Sequence, residues 1–220
     1  GYRVGVTGRR EALLEELAAT RPDSFCYAAA DIMDPAAACA ALERLAGELG
    51  GLDLCVVSAG TGDLNPGLDY ALEEPAIRTN VVGWTAAVDW AYGRFEGQGG
   101  GHLVVITSVG GLRGGGAAPA YNASKAYQIN YAEGLRQRAA KSGLPLPVTD
   151  IRPGFVATAL LRNADYPMLM RPEKVAETLF RALECGKRRI VIDHRYALLV
   201  RLWRLIPQGV WERLPIRSRA

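Results

Sequence analysis

The sequence predicts an α/β protein, a doubly wound parallel sheet in three layers (α/β/α), on two observations. Short apolar runs alternate with helix-length segments, which is the pattern of βα units. The runs are rich in Val, Ile and Leu without strict alternation, as in strands covered on both faces. At 220 residues, 49% hydrophobic and 22% charged, the chain suffices for one such domain.

The elements follow in order. Strands are expected at Tyr2–Thr7, Phe25–Ala30, Leu52–Ser58, His102–Thr107, Pro147–Ile151 and Arg189–Ile192. Helices are expected between them at Glu11–Ala19, Pro35–Leu49, Pro75–Phe95, Tyr121–Ser142 and Pro172–Cys185. Pro or Asp stands at several helix starts and Gly shortly after several ends, as capping chemistry requires. The glycine-rich stretches 97–101 and 110–116 each lie beside a strand end and read as loops. No internal repeat or low-complexity linker divides residues 1–220.

The bulk properties narrow the function classes. A formal net charge of +3 with scattered Lys and Arg gives no argument for nucleic acid. No apolar run approaches the length of a membrane span, and no secretory signal pattern opens the chain. Cys26, Cys39, Cys55 and Cys185 are far apart, without C-x-x-C or a His spacing for zinc. They read as small core residues of a reduced, cytoplasmic protein, and no metal is expected. The exception to scattered charge is the end of the chain, where residues 187–220 hold nine Lys or Arg against Asp193 and Glu212. Residues 195–220 form a basic, partly amphipathic tail, with Pro207 as a break. Such a segment can close a cleft, dock on a second subunit or touch a membrane, and its short length favours packing over membrane contact.

The chemistry concentrates in Ser108–Lys125, SVGGLRGGGAAPAYNASK. Tyr121 and Lys125 are four apart at a helix start, so their side chains share one face. A nearby ammonium favours the charged form of a phenol whose ordinary pKa is about 10, which suits it to proton transfer. Ser108 ends a strand and adds a hydroxyl able to hold a substrate oxygen. A serine-hydrolase elbow fails, because Ile106 stands where G-x-S-x-G needs its first glycine. The glycines at 110–116 are not followed by the Lys-Ser/Thr of a Walker loop.

These residues resemble the short-chain dehydrogenase/reductase family, with its Rossmann-type sheet. The resemblance rests on the Y-x-x-x-K pair Tyr121 and Lys125, Ser108 thirteen residues upstream, and Asn80 in Asn-Val-Val-Gly twenty-eight before that. Asp31 in DIMD, Ser58-Ala59-Gly60, and Pro153-Gly154-Phe-Val156-Ala-Thr158 extend it in the family's order. It implies an NAD(P)-dependent enzyme interconverting a carbonyl and an alcohol. Tyr121 would be the general acid and base, and Ser108 would hydrogen-bond the reacting oxygen. Lys125 would lower the tyrosine pKa and hold the nicotinamide ribose, and Asn80 would support a proton-relay water. Asp31 and Ile32 would border the adenine, Ser58, Ala59 and Gly60 would line the cofactor cleft, and Pro153, Gly154, Val156 and Thr158 would cover the nicotinamide. Taken alone, Asp31 equally reads as a turn residue and Asn80 as a helix cap.

Many family members have Asn-Asn-Ala-Gly where this chain has Val57-Ser58-Ala59-Gly60, which puts side-chain bonds there in doubt but not backbone approach at Gly60. Counting back from Asp31 and Gly60 places VGVTGRREALLEEL in the family's second strand and helix. Its Thr7-Gly8 is then not the phosphate loop, and a first βα unit of about 30 residues is expected before Gly1. The end of the second strand meets the adenosine ribose, where an acid selects NAD and an Arg accommodates the 2′-phosphate of NADP. Arg9 and Arg10 stand there, so NADP(H) is expected over NAD(H); otherwise both are solvated helix-start residues. Leu160, Leu161, Tyr166, Met168 and Met170 would form one wall of an apolar substrate site or pack as an ordinary lid. The resemblance implies a homodimer or homotetramer. The rival from another class is a catalytically silent NADP(H)-sensing protein on the same scaffold.

Overall fold

The computed structural model describes residues 1–158, 160–161 and 166–214. Its elements are β1 (Val4–Gly8), α1 (Glu11–Thr20), β2 (Phe25–Ala29), α2 (Pro35–Leu49), β3 (Leu54–Val57), α3 (Tyr70–Ile77), a π-helical segment (Arg78–Gly83), α4 (Trp84–Gln98) and β4 (His102–Ile106). A 3-10 turn (Val109–Leu112), α5 (Pro119–Ser142), β5 (Val148–Pro153), α6 (Pro172–Glu184), β6 (Arg189–Ile192), α7 (His194–Leu205) and α8 (Gln208–Trp211) complete it.

Every strand pairing is parallel. The strands lie in two ladders, β1-β2 and β3-β4-β5-β6. No described pairing joins β1 to β3. Helix α2 packs on β1, β2 and α4. At Gly5 of β1 a side chain would meet Leu45 and Leu49 of α2, so a bare backbone sets that close approach.

Strand β4 shows why its sequence does not alternate. Leu103, Val104 and Val105 are all fully buried, because layers cover both faces. Leu103 and Val105 meet Trp84, Val88 and Phe95 of α4 and Ala132 of α5. Val104 faces the other way, with Ile151, Ile192, Leu179 of α6, and Tyr196 and Val200 of α7.

The expected single helix over Pro75–Phe95 is corrected to three pieces. Asp69 starts α3 five residues earlier than Pro75 suggests, its carboxylate accepting from Ala71 N at 2.9 Å. Pro75 lies inside the helix, where it has no N–H to give. The π-helical segment and α4 follow without a break. The cysteine expectation also needs correction: Cys55 is buried and Cys26 and Cys39 are half-buried, but Cys185 is exposed where α6 ends.

The segment 195–214 packs on the chain itself, through Tyr196 and Val200 of α7. Arg113 donates from Nη2 to the carbonyls of Trp203 (2.9 Å) and Ile206 (2.7 Å) at the end of α7. Its guanidinium also lies 5.5 Å from the centroid of Trp211, whose Nε1 donates to Gly114 O at 2.8 Å. Residues 215–220 of the expected tail lie outside the described residues. No described helix is long and apolar enough to cross a membrane.

Candidate active site

The site forms where β4 ends and α5 begins. Ile106 closes β4, Thr107 and Ser108 follow, and the 3-10 turn leads toward Pro119, which opens α5. Thr107 is anchored by donating from Oγ1 to Asp150 Oδ1 at 2.6 Å on β5. Arg152 neutralises that buried carboxylate, with Nη2 at 2.6 Å and Nε at 2.8 Å from Oδ2. The Ser108 hydroxyl accepts from Gly110 N at 3.0 Å, which leaves its own proton free to donate.

Tyr121 and Lys125 lie on one face of the first turns of α5, with Nζ 5.8 Å from the phenol ring centroid. Lys125 is only 4% exposed. Its Nζ donates to Ile106 O at 3.3 Å and to Gln128 Oε1 at 2.9 Å. Burial pulls the ammonium down to about 8, opposed by the Asp150 charge. Tyr121 shifts upward, because burial outweighs its hydrogen bond with Ser108. The expected lowering of Tyr121 by Lys125 is therefore corrected: the phenol shifts upward, desolvation dominates, and the opposing influence is Ser108.

Asn80 is fully buried in the π-helical segment. Its Nδ2 donates to Thr61 O (2.7 Å) and Ser124 Oγ (2.9 Å), and its Oδ1 accepts from Thr61 N (2.8 Å). Its backbone carbonyl accepts from Gln128 Nε2 at 2.9 Å. The structure thus links Asn80 to Lys125 through Gln128, a residue the sequence motifs do not reveal, with Tyr121 beside Lys125 and Ser108 beside Tyr121.

Glycines shape the space beside these groups. A Cβ on Gly60 would sit 3.1 Å from Lys125 Nζ and 3.5 Å from Asn80 Oδ1. One on Gly62 would overlap the Tyr121 ring, and one on Gly111 would run into the backbone of Lys125 and Ala126. Gly62 is a second site residue that motif reading misses.

The other expected cofactor residues lie at the C-terminal ends of the strands, where open α/β sheets bind ligands. Arg9 and Arg10 are exposed just past β1, on the smaller ladder. Past β2, the Asp31 carboxylate turns back to accept from Met33 N at 2.9 Å. The Ile32 carbonyl abuts Gly83, where a Cβ would overlap it, and so links this turn to the segment carrying Asn80. Ser58 is exposed and Ala59 half-buried between β3 and Gly60. Pro153 ends β5, and Gly154 lies flat against Tyr196, where a side chain would collide with the ring. Val156 bridges to Met170, and Thr158 Oγ1 donates to Val156 O at 3.4 Å.

Of the expected substrate wall, Met170 is buried in the core beside α6 and α7, and Met168 packs against that core. Leu160 is exposed, and the Tyr166 ring lies tilted against Phe155 with centroids 4.4 Å apart. Met170 is thus a core residue and not part of an open wall.

A nicotinamide dinucleotide fits this donor set. The bare surface at Gly60 opens directly onto Lys125 Nζ, a cradle that any larger residue would fill. The exposed cations at the end of β1 suit a phosphate. Among the described residues no group of three or more His, Cys, Asp or Glu is placed to hold a metal ion.

Comparison with known proteins shows the family. The short chain dehydrogenase family model matches residues 1–167. An uncharacterized oxidoreductase of Myxococcus xanthus is 32% identical over 226 residues, covering 100% of this chain and 88% of the relative. A short chain dehydrogenase/reductase from Burkholderia phymatum, solved in complex with NAD, superposes with a TM-score of 0.81 at 19% identity, covering 100% of this chain and 89% of that one. The closed form of a serine dehydrogenase complexed with NADP+ gives 0.76 at 23%, covering 86% and 85%. By its site geometry, its family match and its relatives, this chain is a member of the short-chain dehydrogenase/reductase family of oxidoreductases.

Proposed function

We propose that the protein interconverts a carbonyl and an alcohol using NADP(H), with Tyr121 as general acid and base. The observation that carries this reading is the 4% exposed Lys125, held beside the Tyr121 ring and facing bare Gly60. Burying an ammonium is costly, and such a group next to a phenol in a cleft is a functional arrangement. The nicotinamide, when bound, supplies or accepts the hydride. In reduction the Tyr121 hydroxyl gives its proton to the carbonyl oxygen, and in oxidation the phenolate takes it back. Ser108, whose Oγ already accepts from Gly110 N, donates to the same oxygen and fixes its position. Lys125 places positive charge beside the phenolate as it forms, offsetting the burial that raises Tyr121. Asn80 holds the Thr61 backbone next to Gly60 and Gly62.

The exposed pair Arg9 and Arg10, with Thr7 and Gly8 where the ribose-binding acid would stand, supports NADP(H) over NAD(H). Dissociation constants of both cofactors, in wild type and Arg9→Ala, test this. Loss of one charge-assisted contact should weaken NADPH about tenfold and leave NADH nearly unchanged. An unaltered NADPH preference removes Arg9 from the reading.

Phe155, Tyr166 and Leu160 support an apolar substrate. The grouping of Tyr121, Lys125 and Ser108 supports turnover over the silent cofactor sensor. The resemblance carries a homodimer or homotetramer, which sedimentation velocity reads, and the cysteine pattern a cytoplasmic setting.

A further inference from the structure

Gln128 is fully buried on α5, three residues after Lys125 and on the same helix face. A buried amide is expensive unless its donors and acceptor are used. Here Oε1 accepts from Lys125 Nζ at 2.9 Å, and Nε2 donates to the Asn80 carbonyl at 2.9 Å. The amide can point only one way, since its NH2 against an ammonium would set donor against donor. Asn80 is itself fixed through Thr61 and Ser124. A continuous chain of hydrogen bonds therefore runs from the backbone beside Gly60 and Gly62, through Asn80 and Gln128, to Lys125 and the last carbonyl of β4.

We propose that Gln128 is a positioning residue for proton transfer: its amide couples Lys125 to Asn80 and holds the ammonium at the depth of the Tyr121 phenol. This rests on the oxidoreductase reading for its consequence in turnover, but not for its geometry. An amide oxygen accepting from Nζ favours the ammonium, working with the Asp150 charge on β5 against burial. Among the described residues around Nζ, the other titratable neighbour is Tyr121 on α5 itself. Ile106 of β4 and Asn80 of the π-helical segment present only neutral groups.

The test is the titration of Lys125 by NMR of 13Cε-labelled lysine, in full-length protein without substrate. The lysines are Lys125, Lys141, Lys174 and Lys187, and the signal missing from Lys125→Met assigns the site. Gln128→Met keeps the volume and removes the acceptor, so the midpoint should fall by about one pH unit. Gln128→Glu keeps an acceptor and adds a negative charge, so it should rise by at least about one. Gln128→Asn, too short to reach Nζ, replaces the Met variant if that fails to fold and should also lower the midpoint. With a carbonyl substrate, the pH profile of kcat should move with the midpoint while KM changes less than about twofold. A midpoint unmoved in both directions, or moved the same way by Met and Glu, reduces Gln128 to packing and overturns the proposal. An inactive wild type with the expected opposite shifts would count against the oxidoreductase reading alone.

Discussion

At the scale of single residues, Tyr121, Lys125, Ser108 and Asn80 were legible in the sequence because their chemical types recur at fixed spacing. Gln128 and Gly62 were not, because their roles come from neighbours far along the chain: Asn80 for Gln128, Tyr121 for Gly62. A motif records which groups react; it is silent about what presses on them. Gly62 makes this testable. Its missing side chain leaves room for the phenol, and an added Cβ would lie 2.8 Å from Tyr121 Cγ. Gly62→Ala should therefore displace the ring and lower kcat at least about tenfold, since an ångström of misplacement costs up to about a hundredfold. Steady-state kinetics beside NADPH titration would show the loss in kcat with binding retained; an unchanged kcat would mean that the ring position does not depend on Gly62.

At the scale of elements, all six expected strands are present with ends shifted by at most two residues, because buried parallel strands announce themselves as Val, Ile and Leu runs. The start of α3 is not legible from Pro75, a residue type that suits a first turn, because the Asp69 cap that decides the start is a single side-chain hydrogen bond. The helices α7 and α8 show the same limit. Their amphipathic pattern was visible, but not the Arg113 guanidinium that gathers the Trp203 and Ile206 carbonyls and covers Trp211. Arg113 lies five residues after Ser108, so this latch ties the C-terminal helices to the loop behind the reacting groups. Arg113→Ala should loosen that attachment by about 1 to 2 kcal/mol, the value of charge-assisted bonds at a helix C-terminus. Limited trypsin digestion should then cut at Arg201 or Arg204 several times faster, leaving fragments 1–201 or 1–204. Equal cleavage rates in mutant and wild type would show that α7 is held by its core contacts alone.

At the scale of the whole molecule, the α/β class followed from the alternation of strand and helix, whereas the break between the β1-β2 and β3–β6 ladders is a property of pairing that no local pattern displays. The cations Arg9 and Arg10 follow the end of β1 in the smaller ladder, and Ser108 follows the end of β4 in the larger one. In the proposed reaction the larger ladder carries proton transfer: Asp150 and Arg152 brace Thr107, Asn80 and Gln128 brace Lys125, and the Tyr121 ring packs against Gly62. The most direct test is NADPH oxidation across a panel of apolar aldehydes and ketones by wild type and Tyr121→Phe, with NADPH affinity measured in both. Wild type should turn over at least one carbonyl, and removing the phenolic proton should lower kcat by about a hundredfold to ten-thousandfold with NADPH affinity kept within about threefold. A Tyr121→Phe protein that reduces the same carbonyl at the wild-type rate would contradict the assignment of Tyr121 as the general acid.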